Sequence, residues 1–332
     1  MSKQVKIGLI GAGRIGQSHG EILALHTPGA KLTAIADPAP GAAASLAARL
    51  GLSQAFTSPD ELLASGVDAV VVAASATVHA ELIAQAAAAG KAIFCEKPAA
   101  LSVAELDPAL AAVERAGAVL QIGFNRRFAP GFAAARAAVD NGQLGAVRLL
   151  RSNTRDPGLA NPGAVPPWTI FTQTLIHDFD TLNWLNPGAE PIRVFAQADA
   201  LVAPDFKAKG LLDTALVTIA YSNGALAMAD ACFEAVYGYD VRGEVFGSSG
   251  LAKAGHIRVT DLDRYAADGM HVDTARSDTG LLQDSYRGEL AAFVKAVRSG
   301  RTTGATGEDA RRALAIAEAC IASYQSGQPV EL

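Results

Sequence analysis

Residues 5–16 read VKIGLIGAGRIG. The first six form a short apolar strand candidate. Gly11, Gly13 and Gly16 follow directly at the spacing G-x-G-x-x-G, and a helix candidate with packable positions at Ile15, His19, Ile22 and Leu23 begins within them. In that strand–turn–helix setting each glycine has a physical use. Gly11 permits the tight turn, and Gly13 lets the backbone approach a pyrophosphate. Gly16 lets the helix lie close to the strand. The helix N-terminus offers free N–H groups and the positive end of its dipole to an anion. Ala12, Arg14 and Ile15 complete the loop, so residues 11–16 are read as a dinucleotide-binding turn.

A second strand candidate, residues 31–36, ends at Asp37. A carboxylate at this distance beyond the glycines can accept hydrogen bonds from both ribose hydroxyls and repels a 2′-phosphate. Pro38, Ala39 and Pro40 supply no cation to receive such a phosphate. The expected cofactor is therefore NAD rather than NADP. Strand and helix candidates continue to alternate as far as residue 122: a helix over 41–50, a short strand over 55–57, and DAVVVA at 68–73, apolar enough for burial on both faces. A helix over 80–89, a strand over 92–95, a helix over 102–115 and a strand over 119–122 follow. This alternation predicts a parallel sheet with helical crossovers, a Rossmann domain over residues 1–124.

The texture changes after Phe124. Longer strand candidates lie at 147–153, 192–200, 215–221, 225–233 and 239–247, without helices between the later ones. TALVTIAYSNGALAMADACF (214–233) reads as a hairpin turning at Ser222-Asn223-Gly224. A second α/β domain over residues 125–332, built on a large, mostly antiparallel open sheet, is expected. Two helices, 284–299 and 308–326, close it. The Pro- and Gly-rich loop 155–169 is long for a compact domain and is expected to border the site.

Composition narrows the function. The chain has 332 residues, half of them apolar and 18% charged, with a net charge of −5. This excludes a disordered chain and gives no nucleic-acid footprint. No apolar run is long enough to span a bilayer, and no signal peptide is visible. Cys95, Cys232 and Cys320 are far apart and lack metal-ligand spacing, which suits reduced thiols in a cytoplasmic protein. His256 and His271 form no metal-ligand pattern with acids, and no metal is expected.

Four further segments stand out. AIFCEKPAA (92–100) puts Glu96 and Lys97 at the carboxyl edge of the parallel sheet, where α/β folds bind ligands. GFNRRF occupies 123–128, QTLIHDFDTLNWL occupies 173–185, and YGYDVRGEVFGSSG occupies 237–250. Taken in order with GAGRIG, these resemble the Gfo/Idh/MocA oxidoreductases over nearly the whole chain, most closely the inositol 2-dehydrogenase branch.

The resemblance implies hydride transfer between nicotinamide and a carbinol carbon of a cyclic polyol, sugar or sugar derivative. It implies Lys97 at the reacting oxygen, where an ammonium polarises a ketone and stabilises an alkoxide. His177 becomes the second acid/base group. Arg127, Asp156 and Tyr237 fall where family members contact substrate, and Trp168 in the long loop is expected to cover the site. Ser75, Thr77 and His79, after DAVVVA, fall where the family contacts the cofactor, as does Glu96. The family's open sheet implies a homodimer or homotetramer.

The chain departs from the pattern. Gln173 stands four residues before His177, where Asp is common; it can orient an imidazole or a hydroxyl but cannot stabilise an imidazolium by charge. Ala129 replaces an Asp, and Phe233-Glu234 stands where inositol dehydrogenases often carry arginine. Glu234 and Gln173 fit a cationic or less hydroxylated substrate. Two other readings remain open: a redox-neutral enzyme that retains NAD, and a non-catalytic NAD-binding regulator.

Overall fold

In the computed structural model, which describes residues 4–332, the apolar run at the N-terminus is strand β1 (Val5–Ile10). It is paired in parallel with β2 (Ala30–Ala36) on one side and β4 (Ala69–Val72) on the other. β3 (Gln54–Phe56), β5 (Ala92–Glu96) and β6 (Leu120–Gly123) complete a parallel sheet in the order β3-β2-β1-β4-β5-β6. The order reverses direction between β1 and β4, which makes that crevice the switch point where α/β sheets bind ligands. Every residue of β4 is fully buried, as its unbroken apolar run requires.

The crossovers are α1 (Arg14–Leu25), α2 (Ala42–Arg49), α3 (Pro59–Ala64), α4 (His79–Ala88) and α5 (Val103–Ala116). α5 stops at Gly117, whose φ of 58° suits the left-handed C-cap. α3 is absent from the sequence reading. Its start signal was nonetheless present: Ser58 accepts the Asp60 N–H, with Pro59 at the first helical position.

The second sheet comprises β7 (Val147–Arg155), β8 (Pro191–Asp199), β9 (Thr214–Tyr221), β10 (Leu226–Cys232), β11 (Asp240–Gly247), β12 (Leu251–Ala254) and β15 (Val330–Glu331). Its order is β12-β11-β7-β10-β9-β8-β15. The β9–β10 hairpin turns where expected, with Leu226 opposite Ala220. All pairings are antiparallel except β7–β10, so the sheet is mixed. An additional hairpin, β13 (Arg258–Ala266) with β14 (Gly269–Thr274), lies in a stretch where no strand was predicted. β13 is largely exposed and carries no alternating pattern, and β14 is mostly half-buried. The helices after residue 128 are α6 (Pro130–Asp140), α7 (Ile176–Trp184), the single turn α8 (Asp278–Leu281), α9 (Gln283–Ser299) and α10 (Gly307–Ser326).

The chain forms two compact units, and neither is a single continuous stretch. Met1–Arg127 joins with Asp284–Arg311, and Phe128–Gln283 joins with Arg312–Leu332. This differs from one break at residue 124. The returning segment satisfies the free edge of the parallel sheet: the Ile122 N–H donates to the Ala305 carbonyl at 2.9 Å, and Gln121 Nε2 donates to the Glu289 carbonyl at 2.9 Å. Phe293 of α9 packs on Phe94 of β5. Among the described residues no helix is long and apolar enough to cross a membrane.

Candidate active site

A cleft of about 750 Å³ opens at the carboxyl ends of β1, β2 and β4. Gly11, Gly13, Arg14 and Ile15 line it from the first turn, Asp37 and Pro38 from the end of β2, and Ala73, Ala74 and Ser75 from the end of β4. Gly11 has a φ of 102°, and a Cβ there would lie 2.5 Å from the Ala73 carbonyl oxygen. A Cβ at Gly16 would lie 2.0 Å from the Gly11 carbonyl oxygen, so only hydrogen lets α1 approach the turn. Gly13 differs: nothing lies within 4 Å of its Cβ position, which opens on the cleft. Gly13 is also the N-cap of α1, and no side chain caps that end. An open, side-chain-free helix N-terminus fits a pyrophosphate. The residues present therefore fit a dinucleotide.

Asp37 holds the loop around it. One carboxylate oxygen accepts the Ala12 N–H at 2.7 Å and the other accepts the Ala39 N–H at 2.8 Å. Each oxygen keeps a lone pair for a ribose hydroxyl. After β4, the Ser75 and Thr77 hydroxyls bond each other at 3.0 Å; Ser75 lines the cleft. His79 is buried, and burial lowers its pKa below the ordinary histidine range. A neutral ring donates one N–H, and Nδ1 lies 2.7 Å from the Pro98 carbonyl. His79 thus ties the loop after β4 to the loop after β5. The cleft also takes lining from Pro59, Asp60, Val78, Glu81 and Gln85, none of which the sequence reading chose. The N-cap signature at 58–61 was the one available signal for the first two.

Lys97 follows β5, the strand next to β4, and is half-buried. Its peptide to Pro98 is cis. Its backbone N–H donates to Glu96 Oε2 at 3.2 Å, and Glu96 is buried. Arg127 belongs to the same unit. Its side chain is 9% exposed and pairs with Asp309 at 3.1 Å, anchoring the returning segment 284–311.

The second unit carries the remaining candidates. Trp168 has a φ of 63°, the one positive value at a non-glycine residue among those described. Its N–H donates to the Gly210 carbonyl, its own carbonyl accepts the N–H groups of Phe171 and Thr172, and its ring stands edge-on to Tyr324. A left-handed bulky residue stores local strain of a kind that clusters at functional sites. A π-helical turn (Ile170–Thr174) containing Gln173 follows, closed by the Leu175 N–H on the Ile170 carbonyl. α7 then begins and carries His177 in its first turn.

Asp178, next to His177, is buried and accepts the hydroxyls of Ser152 and of Thr154, the latter at 2.6 Å. This pins α7 to β7. The sequence reading did not single out Asp178. Asp156 continues β7 toward β10 through its N–H on the Cys232 carbonyl. The Tyr237 hydroxyl donates to Asp240 at 2.7 Å, beside the Arg155–Asp230 pair. Burial and Asp240 together raise the Tyr237 pKa, so it is a protonated donor at neutral pH.

Residues 5–124 match the oxidoreductase family's NAD-binding Rossmann fold, and residues 136–332 match its C-terminal alpha/beta domain. The chain is 38% identical to an uncharacterized oxidoreductase of Bacillus subtilis, over 100% of this chain and 98% of that one. It is 37% identical to the myo-inositol 2-dehydrogenase of Thermotoga maritima, over 99% and 98% of the two. A crystal structure of scyllo-inositol dehydrogenase from Lactobacillus casei, with bound NAD(H) and scyllo-inositol, superposes with a TM-score of 0.94 at 25% identity, covering 99% of both chains. The two matched domains and the full-length relatives make this chain a member of the Gfo/Idh/MocA oxidoreductase family, with an N-terminal NAD-binding Rossmann domain.

Proposed function

We propose that the chain is an NAD-dependent dehydrogenase or reductase acting on a CH–OH carbon of a cyclic polyol, sugar or sugar derivative, as the names of its inositol-dehydrogenating relatives suggest. One observation carries the reading. Along the carboxyl edge of one parallel sheet stand Asp37 after β2, Gly13 after β1, Ser75 after β4 and Lys97 after β5, in spatial order. That is a ribose acceptor, an anion cradle, a hydroxyl and a cation following adjacent strands of one sheet.

NAD, when bound, accepts the hydride or returns it. The Lys97 ammonium holds the substrate oxygen and stabilises it as an alkoxide while the carbon–hydrogen bond breaks. His177 takes the hydroxyl proton in oxidation and returns it in reduction. Gln173, one turn before His177, orients the imidazole or a substrate hydroxyl. Asp156, Tyr237 and Trp168 select the polyol, Asp156 and Tyr237 by hydrogen bonding and Trp168 by covering it. Arg127 acts on substrate only through the turn that it anchors to Asp309.

The same reading places a second copy of the chain on the outer face of the mixed sheet. Leu251, Phe246, Leu149 and Leu226 are exposed and cross-strand neighbours, and a row of Lys253, Glu244 and Arg151 runs beside them. Alternating charge flanking an apolar row is self-complementary across a two-fold axis. The three cysteines are free, which suits a reducing cytoplasm.

The test is a panel of cyclitols, pyranoses, lactones and amino derivatives with NAD and NADP, using wild type and Lys97→Ala. Lys97→Ala is expected to lose turnover by about 10²-fold or more while still quenching with NADH. Retained activity removes Lys97 from the chemistry.

A further inference from the structure

The cleft of about 750 Å³ holds chemistry that the glycine turn and Asp37 leave unused. None of its lining residues follows β5 or β6, so it lies at the β3-β2-β1-β4 end of the parallel sheet, and Lys97 is not among them. Gly13 marks the place of a pyrophosphate and Asp37 that of a ribose. The space left beyond the ribose is that of the base. Its walls are largely apolar. Pro38 after β2 and Pro59 after β3 come from one side of β1; Val78 and Leu82, after β4, come from the other. Such walls hold a flat ring without telling one base from another; the few polar groups among them decide that.

One polar pair interrupts the wall on the α4 side. Glu81 stands in the first turn of α4 and Gln85 one turn later, and both line the cleft. A spacing of four residues puts them on one face of the helix. Gln85 Nε2 donates to Glu81 Oε1 at 2.9 Å. That bond turns the amide nitrogen, rather than its oxygen, toward the carboxylate. The second Gln85 N–H and the second Glu81 oxygen take no partner among the described residues. The cleft therefore meets, side by side, a charged acceptor and an amide donor. An acid in the first turn also steadies α4 through the helix dipole, but that role needs neither the cavity nor Gln85.

We propose that Glu81 and Gln85 select the base of the dinucleotide as adenine. The Glu81 carboxylate accepts from the exocyclic 6-amino group, and the Gln85 N–H donates to the neighbouring ring nitrogen. Adenine presents that donor and acceptor along one edge, whereas a 6-oxopurine presents an acceptor where adenine has its donor. An oxo group against the Glu81 carboxylate sets acceptor against acceptor and leaves both unpaired. The cleft thereby disfavours hypoxanthine and guanine dinucleotides, a selection separate from the one that Asp37 makes against a 2′-phosphate. The proposal rests on the NAD reading above and not on the identity of the substrate.

The experiment is calorimetric and needs no turnover. NADH and its reduced hypoxanthine analogue, which differ only at the 6-position of the purine, are titrated into wild type, Glu81→Gln and Gln85→Leu. Wild type is expected to bind NADH about tenfold or more tightly than the analogue, the effect of one hydrogen bond made against one acceptor left unpaired. In Glu81→Gln the new amide can turn its oxygen to an amine or its nitrogen to an oxo group. NADH is then expected to stay within about threefold of wild type while the analogue tightens, so that the ratio falls toward one. Gln85→Leu removes the donor and the bond that fixes Glu81, and is expected to weaken NADH about tenfold. Equal affinities in wild type overturn the proposal. So does an unchanged ratio in Glu81→Gln, or a parallel loss of both ligands there, which is what a purely structural role on α4 would give; an unchanged Kd for NADH in Gln85→Leu overturns the paired reading. If wild type binds neither dinucleotide, the NAD reading falls and this one with it. If it prefers NADH but oxidises nothing in the panel, the dehydrogenase reading falls and this one stands. If it turns over with NAD but binds both dinucleotides alike, this one alone falls.

Discussion

Asp37 does two jobs with one carboxylate: it ties the backbone at Ala12 and Ala39, and it offers acceptors at the cleft. Asp37→Ala is expected to raise KM for NAD about tenfold, since each charge-assisted bond is worth about 1.5–3 kcal/mol. It is also expected to shift the kcat/KM ratio toward NADP, because the charge that repels a 2′-phosphate is gone. An unchanged cofactor ratio would remove Asp37 from ribose recognition. Asp309 gives a pH signature at the same scale. Burial alone would raise its carboxyl, but the Arg127 charge and the Thr306 N–H hold it below the usual carboxylate range. A folded pKa below the unfolded one contributes stability above the unfolded value and loses it as pH falls through the folded value. The Tm gap between wild type and Arg127→Met should therefore be widest above about pH 5 and should narrow below about pH 4. A gap independent of pH would mean that Arg127 acts by packing alone.

At the scale of elements, the helix bearing His177 is positioned by its neighbour in sequence. Asp178 binds two hydroxyls of β7, and removing it leaves Ser152 and Thr154 buried without their acceptor. Asp178→Ala is expected to cost about 3 kcal/mol in urea unfolding. It should also lower kcat, since α7 carries the imidazole; Asp178→Asn should recover part of both. Loss of stability with kcat intact would separate α7 from catalysis. Much of this scale was legible in the sequence. The strands and crossovers of the parallel sheet follow local apolar runs and glycine stops, so β1, β4 and α5 fall within a residue or two of their expected ends. The π turn before α7 was not legible, because it is defined by a backbone bond from Leu175 to Ile170 and not by any residue type. The hairpin β13–β14 escaped because the exposed β13 needs no apolar alternation.

For the whole molecule, the outer face of the mixed sheet makes an assembly prediction. Leu149 is 44% exposed at the centre of the apolar row and pairs with Leu226 and Phe246 across its two neighbouring strands. Leu149→Lys is expected to shift the protein to a smaller species in light scattering after size exclusion, without loss of NADH binding. An unchanged mass would move the interface elsewhere. The parallel β7–β10 pairing and the return of residues 284–311 to the Rossmann unit belong to this scale too, and neither could be read from patterns local in the chain.

The amino-acid sequence by itself determined the dinucleotide turn, the acidic residue after β2, the lysine at the sheet edge and the family, because each depends on residue types at short spacing. Only the tertiary structure decided which charged groups meet. His19 and Glu96 are 77 positions apart, Arg127 and Asp309 are 182 apart, and the orphaned carboxyl of Glu289 lies against a strand formed nearly two hundred residues earlier. Contacts of that range are set by how sheets and helices pack around a shared core, and no local spacing in the chain encodes them.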